Sequence, residues 1–208
     1  MAYSSYYYHT ELPKLITEEI ISTCESYVSS IILSQINDQS GVLTKDADIR
    51  SSTHKWIKCD SWISSFIMTY IQKINRHNFM YDLVDFDEDN LQYTIYNQND
   101  FYGWHVDSEL QSPFVVTIDR AYSSNHHIPT REEIQSSNLV RKLSFSLLLS
   151  DDFTGGELQF HNHNSSWSVE QHLGSLIIFD STLPHRVTKV KSGTRKSLVG
   201  WVLGPRWK

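Results

Sequence analysis

Eight short segments rich in β-branched and aromatic residues follow one another after about residue 81, with Gly, Asn, Asp or Pro between most of them. Runs of this length and punctuation are typical of strands in antiparallel proteins. Eight such strands within ~110 residues predict a β-sandwich or barrel such as a jelly roll. The segments are residues 91–96, 114–118, 142–149, 157–161, 166–170, 175–179, 185–190 and 195–203.

The residues before this β-rich part carry two helical patterns. Residues 17–33 begin with Thr17 as the predicted N-cap, and acidic residues follow in the first turn. A second helix is predicted to start at Asp60 or Ser61, because the apolar residues after it form one wide stripe. Both helices are expected to support the fold, without a chemical role.

The sequence therefore predicts a mainly β fold with N-terminal helices in a single domain, residues 1–208. Residues 1–80 provide helical support and an N-terminal arm, and residues 81–208 form the core. A polar stretch at 119–139 interrupts the strands and is interpreted as a functional insertion loop. The tyrosines at 6–8 are either a binding arm or a loosely docked terminal segment, and the second interpretation is favoured.

Composition excludes several classes of protein. The formal charge of −6 argues against a protein that coats nucleic acid. Cys24 and Cys59 are isolated, which argues against a disulfide scaffold or a zinc ribbon. The chain has neither a signal-peptide pattern at its start nor an apolar run of the ~20 residues that a membrane helix needs. A cytoplasmic protein without a membrane or nucleic-acid partner is expected.

A His-x-Asp pair in YGWHVD marks the candidate chemistry. His105 and Asp107 are two positions apart in a segment of strand character, so their side chains point to the same face. The pair alone is weak evidence, and a third ligand has to come from a distant strand, where His185 is the candidate. Two imidazoles and one carboxylate leave three adjacent octahedral positions open, which suits Fe(II). A closed structural zinc site would need four protein ligands.

Arg195, ten residues after His185, begins the last long strand. Ser197, Val199 and Trp201 share its face by the period of two. A guanidinium can hold a carboxylate through two parallel hydrogen bonds, and the Ser197 hydroxyl can donate another. A metal chelator with a second carboxylate, such as 2-oxoglutarate, would satisfy the metal and Arg195 together.

Several ordered motifs resemble the Fe(II)/2-oxoglutarate-dependent dioxygenases. They are HVD at 105–107, GGEL at 155–158, GSLIIFDSTLPHRVTKV at 174–190 and GTRKSLVGW at 193–201. The resemblance covers roughly residues 91–203 and points to the prolyl 4-hydroxylase branch, including the small bacterial and phage enzymes called PKHD-type hydroxylases. It implies a double-stranded β-helix (jelly-roll) core supported by two or more helices.

The resemblance also implies roles for individual residues. The implied iron ligands are His105, Asp107 and His185, and Arg195 is implied to hold the distal carboxylate of 2-oxoglutarate. The implied pocket residues are Tyr96 at the co-substrate and Tyr102, Arg141 and Trp201 on the substrate side. The cofactors implied are Fe(II), 2-oxoglutarate and O₂, with ascorbate as a supporting reductant.

The function implied is hydroxylation of a C–H bond with release of succinate and CO₂. The favoured substrate is proline in a peptide or protein, as in a procollagen-proline dioxygenase. Asp107 favours hydroxylation, because related halogenases lack this carboxylate. Nucleic-acid demethylation is disfavoured, since Trp201 stands where that branch has a second arginine. The alternatives are hydroxylation of a free amino acid or small metabolite, and a non-catalytic jelly-roll binding module.

A second histidine pair, His161 and His163, leaves two interpretations open. It could contribute to another metal site, but the preceding GGEL predicts a turn into an edge strand. Solvated surface histidines are therefore expected. Gly155 and Gly156 are expected to serve the backbone of that tight turn.

Overall fold

The computed structural model describes residues 6–35, 50–58, 61–87, 90–108, 139–163 and 165–206, with the backbone alone at 28–35 and 90. Three predictions fall outside these ranges: the strand at 114–118, the insertion at 119–139 apart from its last residue, and the position of Cys59. The single-domain organisation likewise stays a prediction.

Two helices and thirteen strands form within the described ranges. The helices are α1 (Lys14–Gln35) and α2 (Trp62–Asn75). The strands are β1 (Tyr7–Glu11), β2 (Arg50–Ser51), β3 (Thr53–Lys58), β4 (Asn90–Tyr96), β5 (Phe101–His105), β6 (Leu139–Leu148), β7 (Phe153–Gly155), β8 (Leu158–Asn162), β9 (Ser165–Ser168), β10 (Ser175–Asp180), β11 (His185–Val187), β12 (Val190–Gly193) and β13 (Arg195–Pro205).

The strands build two main antiparallel sheets. The large sheet has the order β1-β10-β6-β13-β4-β3, and the small sheet has the order β2-β5-β11-β8-β9. A short two-stranded sheet of β12 and β7 lies beside them. This architecture confirms the predicted mainly β jelly-roll fold with supporting helices. No helix in the described part of the chain is long and apolar enough to cross a membrane.

The large sheet divides its side chains between two environments. On β13, Leu198 and Val202 join a buried apolar cluster that includes residues of both helices. The alternate residues Ser197 and Trp201 line a pocket on the opposite face, as does Arg195. Because strand side chains alternate, one strand supplies both an apolar core and a polar cavity wall.

The first helix starts earlier than predicted. Helix α1 begins directly after Pro13, whose carbonyl accepts hydrogen bonds from the amides of Ile16 and Thr17. Thr17 therefore lies inside the helix, where its hydroxyl also donates to the Pro13 carbonyl at 3.3 Å, so the predicted N-cap is wrong. Helix α2 begins at Trp62 with Ser61 at its N-cap, which agrees with one of the two predicted starts.

Two strand predictions also need correction. The segment at 185–190 is not one strand: β11 ends at Val187, and Val190 begins β12, which belongs to a different sheet. The N-terminal tyrosines are not loosely docked, because β1 pairs with β10 along the edge of the large sheet and Tyr7 lies opposite Phe179. The Tyr7 ring also stacks on Phe160, with ring centroids 5.4 Å apart.

Candidate metal centre

Two histidines face each other across neighbouring strands of the small sheet. His105 ends β5 and His185 begins β11, and the two are direct partners in the antiparallel register. Their ring centroids lie 4.1 Å apart. The strand pairing thus brings together two residues that are far apart in sequence.

Backbone carbonyls fix the orientation of both rings. His105 Nδ1 lies 2.8 Å from the Gly103 carbonyl, and His185 Nδ1 lies 2.9 Å from the Leu183 carbonyl. A carbonyl oxygen only accepts, so each Nδ1 carries the proton and the Nε2 lone pair is left to bind a metal. Burial and the neighbouring His185 hold the pKa of His105 well below its ordinary value, which favours the neutral ring that a metal needs.

Asp107 completes the cluster just beyond the end of β5. Its carboxylate oxygens lie 3.7 Å from His105 Nε2 and 3.4 Å from His185 Nε2. Its backbone amide donates to the Ser181 carbonyl at 2.9 Å, which ties it to the turn before β11. The possible ligand atoms of the three side chains all lie within 4.8 Å of one another.

The surroundings keep Asp107 ionised although its side chain is only 9 % exposed. Burial by itself raises the pKa of this carboxyl group. The two imidazoles and hydrogen bonds donated by Ser144 and Trp201 outweigh that effect, so the pKa lies below its ordinary value. Two imidazoles and one carboxylate form a suitable ligand set for a divalent metal.

The cluster lies in the wall of a pocket of about 320 Å³ between the two main sheets. All nine residues predicted for the site line this pocket: Tyr96, Tyr102, His105, Asp107, Arg141, His185, Arg195, Ser197 and Trp201. The structure therefore brings together every residue that the sequence selected.

Arg195 supplies an unusual buried charge to the pocket. It is only 1 % exposed, and its guanidinium lies over the Tyr96 ring at 5.5 Å. Nη1 donates to the Ser197 hydroxyl at 2.9 Å, whereas Nε and Nη2 have no hydrogen-bond partner among the described residues. Two unpaired buried donors on one guanidinium form a fork that fits a carboxylate.

Tyr102 packs directly against the candidate metal ligands. Its ring stacks on the His105 ring at a centroid distance of 3.6 Å and an angle of 16°. Tyr96 lies opposite Arg195 in the β4–β13 register and is 4 % exposed. The two tyrosines thus border the metal side and the Arg195 side of the pocket, respectively.

Arg141 has a partner that the sequence analysis did not find. Its Nε donates to an Asp87 carboxylate oxygen at 2.6 Å, and the guanidinium lies 4.1 Å over the Trp201 ring. Trp201 in turn approaches Trp56, with ring centroids 6.2 Å apart. An ion pair and aromatic contacts therefore hold Arg141 and Trp201 in place.

Further pocket residues were missed by the sequence analysis. Gln92 and Thr94 share the face of Tyr96 on β4, and the period of two could have revealed them. The same rule could have placed Ser146 on the pocket face of β6. Arg50 lines the pocket from the two-residue strand β2, which leaves no local pattern to detect. The histidines His161 and His163 are exposed.

The fold and the site together define a class of protein. A jelly roll carries two histidines and a carboxylate in the wall of a pocket. A buried guanidinium in the same pocket has two donors without a partner among the described residues. This ligand set fits a non-haem Fe(II) centre with open coordination positions, and the Arg195 fork fits the second carboxylate of a chelating acid.

Comparison with known proteins gives the family. The family model of the 2OG-Fe(II) oxygenase superfamily matches residues 91–203, more than half of the chain. The protein belongs to this superfamily, as its motifs predicted.

Sequence relatives of the chain include PKHD-type hydroxylases. A PKHD-type hydroxylase of Synechococcus sp. strain CC9902 is 34 % identical over 105 residues, which cover 50 % of this chain and 36 % of that protein. The match thus spans little more than a third of that relative's length.

Two solved structures share the fold across nearly the whole chain. A prolyl-4-hydroxylase of Pseudomonas putida has a TM-score of 0.62 at 19 % identity and covers 99 % of this chain and 95 % of that one. A Trichoplax adhaerens prolyl hydroxylase, solved with a peptide fragment of hypoxia inducible factor, has a TM-score of 0.63 at 17 % identity and covers 96 % of this chain and 84 % of that one. At these identities the likeness shows the fold.

Proposed function

We propose that the protein is an Fe(II)- and 2-oxoglutarate-dependent hydroxylase whose iron ligands are His105, Asp107 and His185. The observation that carries this proposal is the pocket that this cluster shares with Arg195, whose Nε and Nη2 are buried without a partner among the described residues. When bound, iron, 2-oxoglutarate and O₂ together supply the oxidising chemistry that inserts oxygen into a C–H bond and releases succinate and CO₂.

The protein's own residues would bind and orient the reactants. Arg195 would hold the distal carboxylate of 2-oxoglutarate through Nε and Nη2. The Ser197 hydroxyl accepts from Arg195 Nη1, so its own proton is available to the same carboxylate. Tyr96 would contact the co-substrate from the neighbouring strand. The apolar walls contributed by Leu158, Phe179 and Val187 would limit water near the metal.

For the substrate, we propose proline in a peptide or protein, with Tyr102, Arg141 and Trp201 on its side of the pocket. Two features support this: the shared fold with prolyl hydroxylases and the aromatic surface that Trp56 and Trp201 form beside Arg141. The modest pocket volume of about 320 Å³ favours a second candidate, a free amino acid or small metabolite. Ascorbate as a reductant and a cytoplasmic location are proposals based on the family resemblance.

Succinate release tests the reaction and the substrate together. Proline-containing peptides, free L-proline and a panel of other amino acids are compared in the presence of Fe(II), 2-oxoglutarate and O₂. A peptide that raises succinate formation above the uncoupled rate, with hydroxylated peptide in equal amount, supports the first candidate. Stimulation by a free amino acid alone would favour the second.

Variants connect the reaction to the site. Asp107→Ala is expected to abolish succinate formation, whereas Asp151→Ala removes an exposed carboxylate outside the pocket and is expected to leave it unchanged. A folded wild-type protein that binds no divalent metal would overturn the proposal and leave a binding module.

A further inference from the structure

Arg50 places a third guanidinium in the pocket, beside those of Arg141 and Arg195. It begins β2, which pairs with β5 so that Arg50 lies opposite Tyr102. Its guanidinium carbon lies 4.8 Å from the centre of the Tyr102 ring, and that ring stacks on His105. The Tyr102 ring thus lies between Arg50 and the candidate metal ligand His105.

The bonding of Arg50 differs from that of Arg141. Arg141 forms an ion pair with Asp87 at 2.6 Å. Arg50 donates Nε to the neutral hydroxyl of Ser52 at 2.7 Å, and no carboxylate of the described residues forms an ion pair with it. The carboxylate of the adjacent loop, Asp100, instead accepts from the Ser51 hydroxyl and the Asn97 amide. Most of the Arg50 donors therefore remain available to a ligand.

A charge count indicates what that ligand is. This count rests on the proposed function. The two negative charges of 2-oxoglutarate are balanced by Arg195 and by the single net positive charge that Fe(II) and Asp107 have together. Asp87 balances Arg141. Among the described residues, no carboxylate balances the charge of Arg50, and an unbalanced charge in a half-buried position is unfavourable.

We propose that Arg50 binds a carboxylate of the prime substrate, so that the enzyme acts on a carboxylate-bearing molecule. A free amino acid, the C-terminal residue of a peptide, and a residue next to Asp or Glu all offer this group. The Arg50 fork would hold the carboxylate while the Tyr102 ring below it fixes the direction of approach. The site would thus select a substrate that carries one negative charge close to the reacting carbon.

The test uses acetate as the probe, since it carries the carboxylate without the rest of a substrate. The full chain is loaded with Mn(II) and 2-oxoglutarate, which do not turn over together. Relaxation of the acetate methyl protons by Mn(II) then reports acetate bound in the pocket, and acetamide serves as the neutral comparison. The affinity for 2-oxoglutarate is measured separately by calorimetry on each variant.

Arg50→Gln removes the charge but keeps most of the side-chain bulk, and Arg50→Lys keeps the charge. Arg186→Gln is the matched control. Like Arg50, Arg186 lies on the small sheet over an aromatic ring of β5, at 4.6 Å from Trp104, and donates Nε to a neighbouring side chain. It does not line the pocket. Melting temperatures show whether each variant is folded.

We expect saturable relaxation of acetate in the wild type, with no comparable effect on acetamide. Arg50→Gln should weaken acetate binding about tenfold or more, because it removes charge-assisted hydrogen bonds. Arg50→Lys should retain part of the binding, and Arg186→Gln should match the wild type. The affinity for 2-oxoglutarate should change less than about threefold in all three variants.

Three results would overturn the proposal. One is that Mn(II) relaxes the acetate protons equally in the wild type and in Arg50→Gln, or that it does not relax them in the wild type. Another is a loss of 2-oxoglutarate affinity in Arg50→Gln, which would assign Arg50 to the co-substrate. The third is a wild-type protein that binds neither Mn(II) nor 2-oxoglutarate. This last result is recognisable before acetate is added, and it would overturn the proposed function as well.

Discussion

The large sheet buries both of its faces, but the face toward the small sheet combines buried polar side chains with apolar ones such as Ile177 and Phe179. Toward α1 and α2 it presents apolar residues such as Leu143, Leu147 and Leu198, all at 0 % exposure. Toward the small sheet it presents Thr94 and Ser197, at 0 % and 1 % exposure. Both sets come from the same strands, so the difference is encoded residue by residue through the alternation of side chains.

The contrast separates the source of stability from the source of chemistry. Apolar burial on the helix face contributes favourable free energy without needing a partner. On the pocket face, Arg195 has two buried donors without a partner in the described part of the chain, which costs free energy in the absence of a ligand. We therefore expect substitutions on the helix face to change stability, and substitutions on the pocket face to change binding.

The largest effect is expected at the metal ligands. His185→Ala should weaken Mn(II) binding by more than about a hundredfold, since even a partner hydrogen-bonded to a ligand is typically worth 10–100-fold. Calorimetric titration with Mn(II) measures this, and His161→Ala removes an exposed histidine of the same sheet as the control. Equal Mn(II) affinity in His185→Ala and wild type would show that this cluster is not the metal site.

Arg195→Met is expected to reduce the affinity for 2-oxoglutarate about a hundredfold, through loss of a charge-assisted hydrogen-bonded fork. The ligand-free variant should be at least as stable as the wild type, because an unpaired buried charge is replaced by an apolar chain of similar length. Urea denaturation with and without 2-oxoglutarate separates the two effects. A variant that is less stable but binds 2-oxoglutarate normally would assign Arg195 a structural role.

A conservative change on the helix face should lower stability and leave 2-oxoglutarate binding unchanged, the reverse of Arg195→Met. Ile67 is fully buried on α2, and Ile67→Val should lower the free energy of unfolding by about 0.5–1.5 kcal/mol without changing the affinity for 2-oxoglutarate. The exposed Leu15→Ala on α1 is the control and should stay within about 0.5 kcal/mol of the wild type. Weaker 2-oxoglutarate binding in Ile67→Val would show that the two faces are coupled.

The smallest effect concerns a thiol that reports on the helix face. Cys24 is fully buried in the apolar cluster, and burial raises the pKa of its thiol to about 12. In a Cys59→Ser background, this thiol should react with a thiol reagent at pH 8 in urea but not in the native protein. Binding of Mn(II) and 2-oxoglutarate should slow the reaction at intermediate urea concentrations. Rapid labelling of the native protein would contradict the burial of this face.

Local patterns predicted the parts of the site that depend on alternation within one strand. The period of two was enough to place Arg195, Ser197 and Trp201 on a common face, and the structure agrees. The same rule explains why Leu198 between them points to the helices. The overall fold class followed from the same short β-rich runs, and the family from their motifs.

Features that depend on non-local pairing were not predicted. Arg50 reaches the pocket only because a two-residue strand pairs with β5, and Asp87 is recognisable only through its contact with Arg141. The start of α1 was misplaced because Pro13 provides the first carbonyl acceptor, which made Thr17 an internal residue. The edge strand β1 has no alternating pattern of its own and forms against β10.

Anaerobic titration with Fe(II) and then 2-oxoglutarate, followed by visible absorption and by succinate release on adding O₂, tests the proposed function most directly. We predict a weak charge-transfer band that requires both additions, the loss of that band in Asp107→Ala, and succinate formed once O₂ enters. A folded, metal-supplied wild-type protein that shows neither band nor succinate would contradict the assignment of this pocket to an oxygenase reaction.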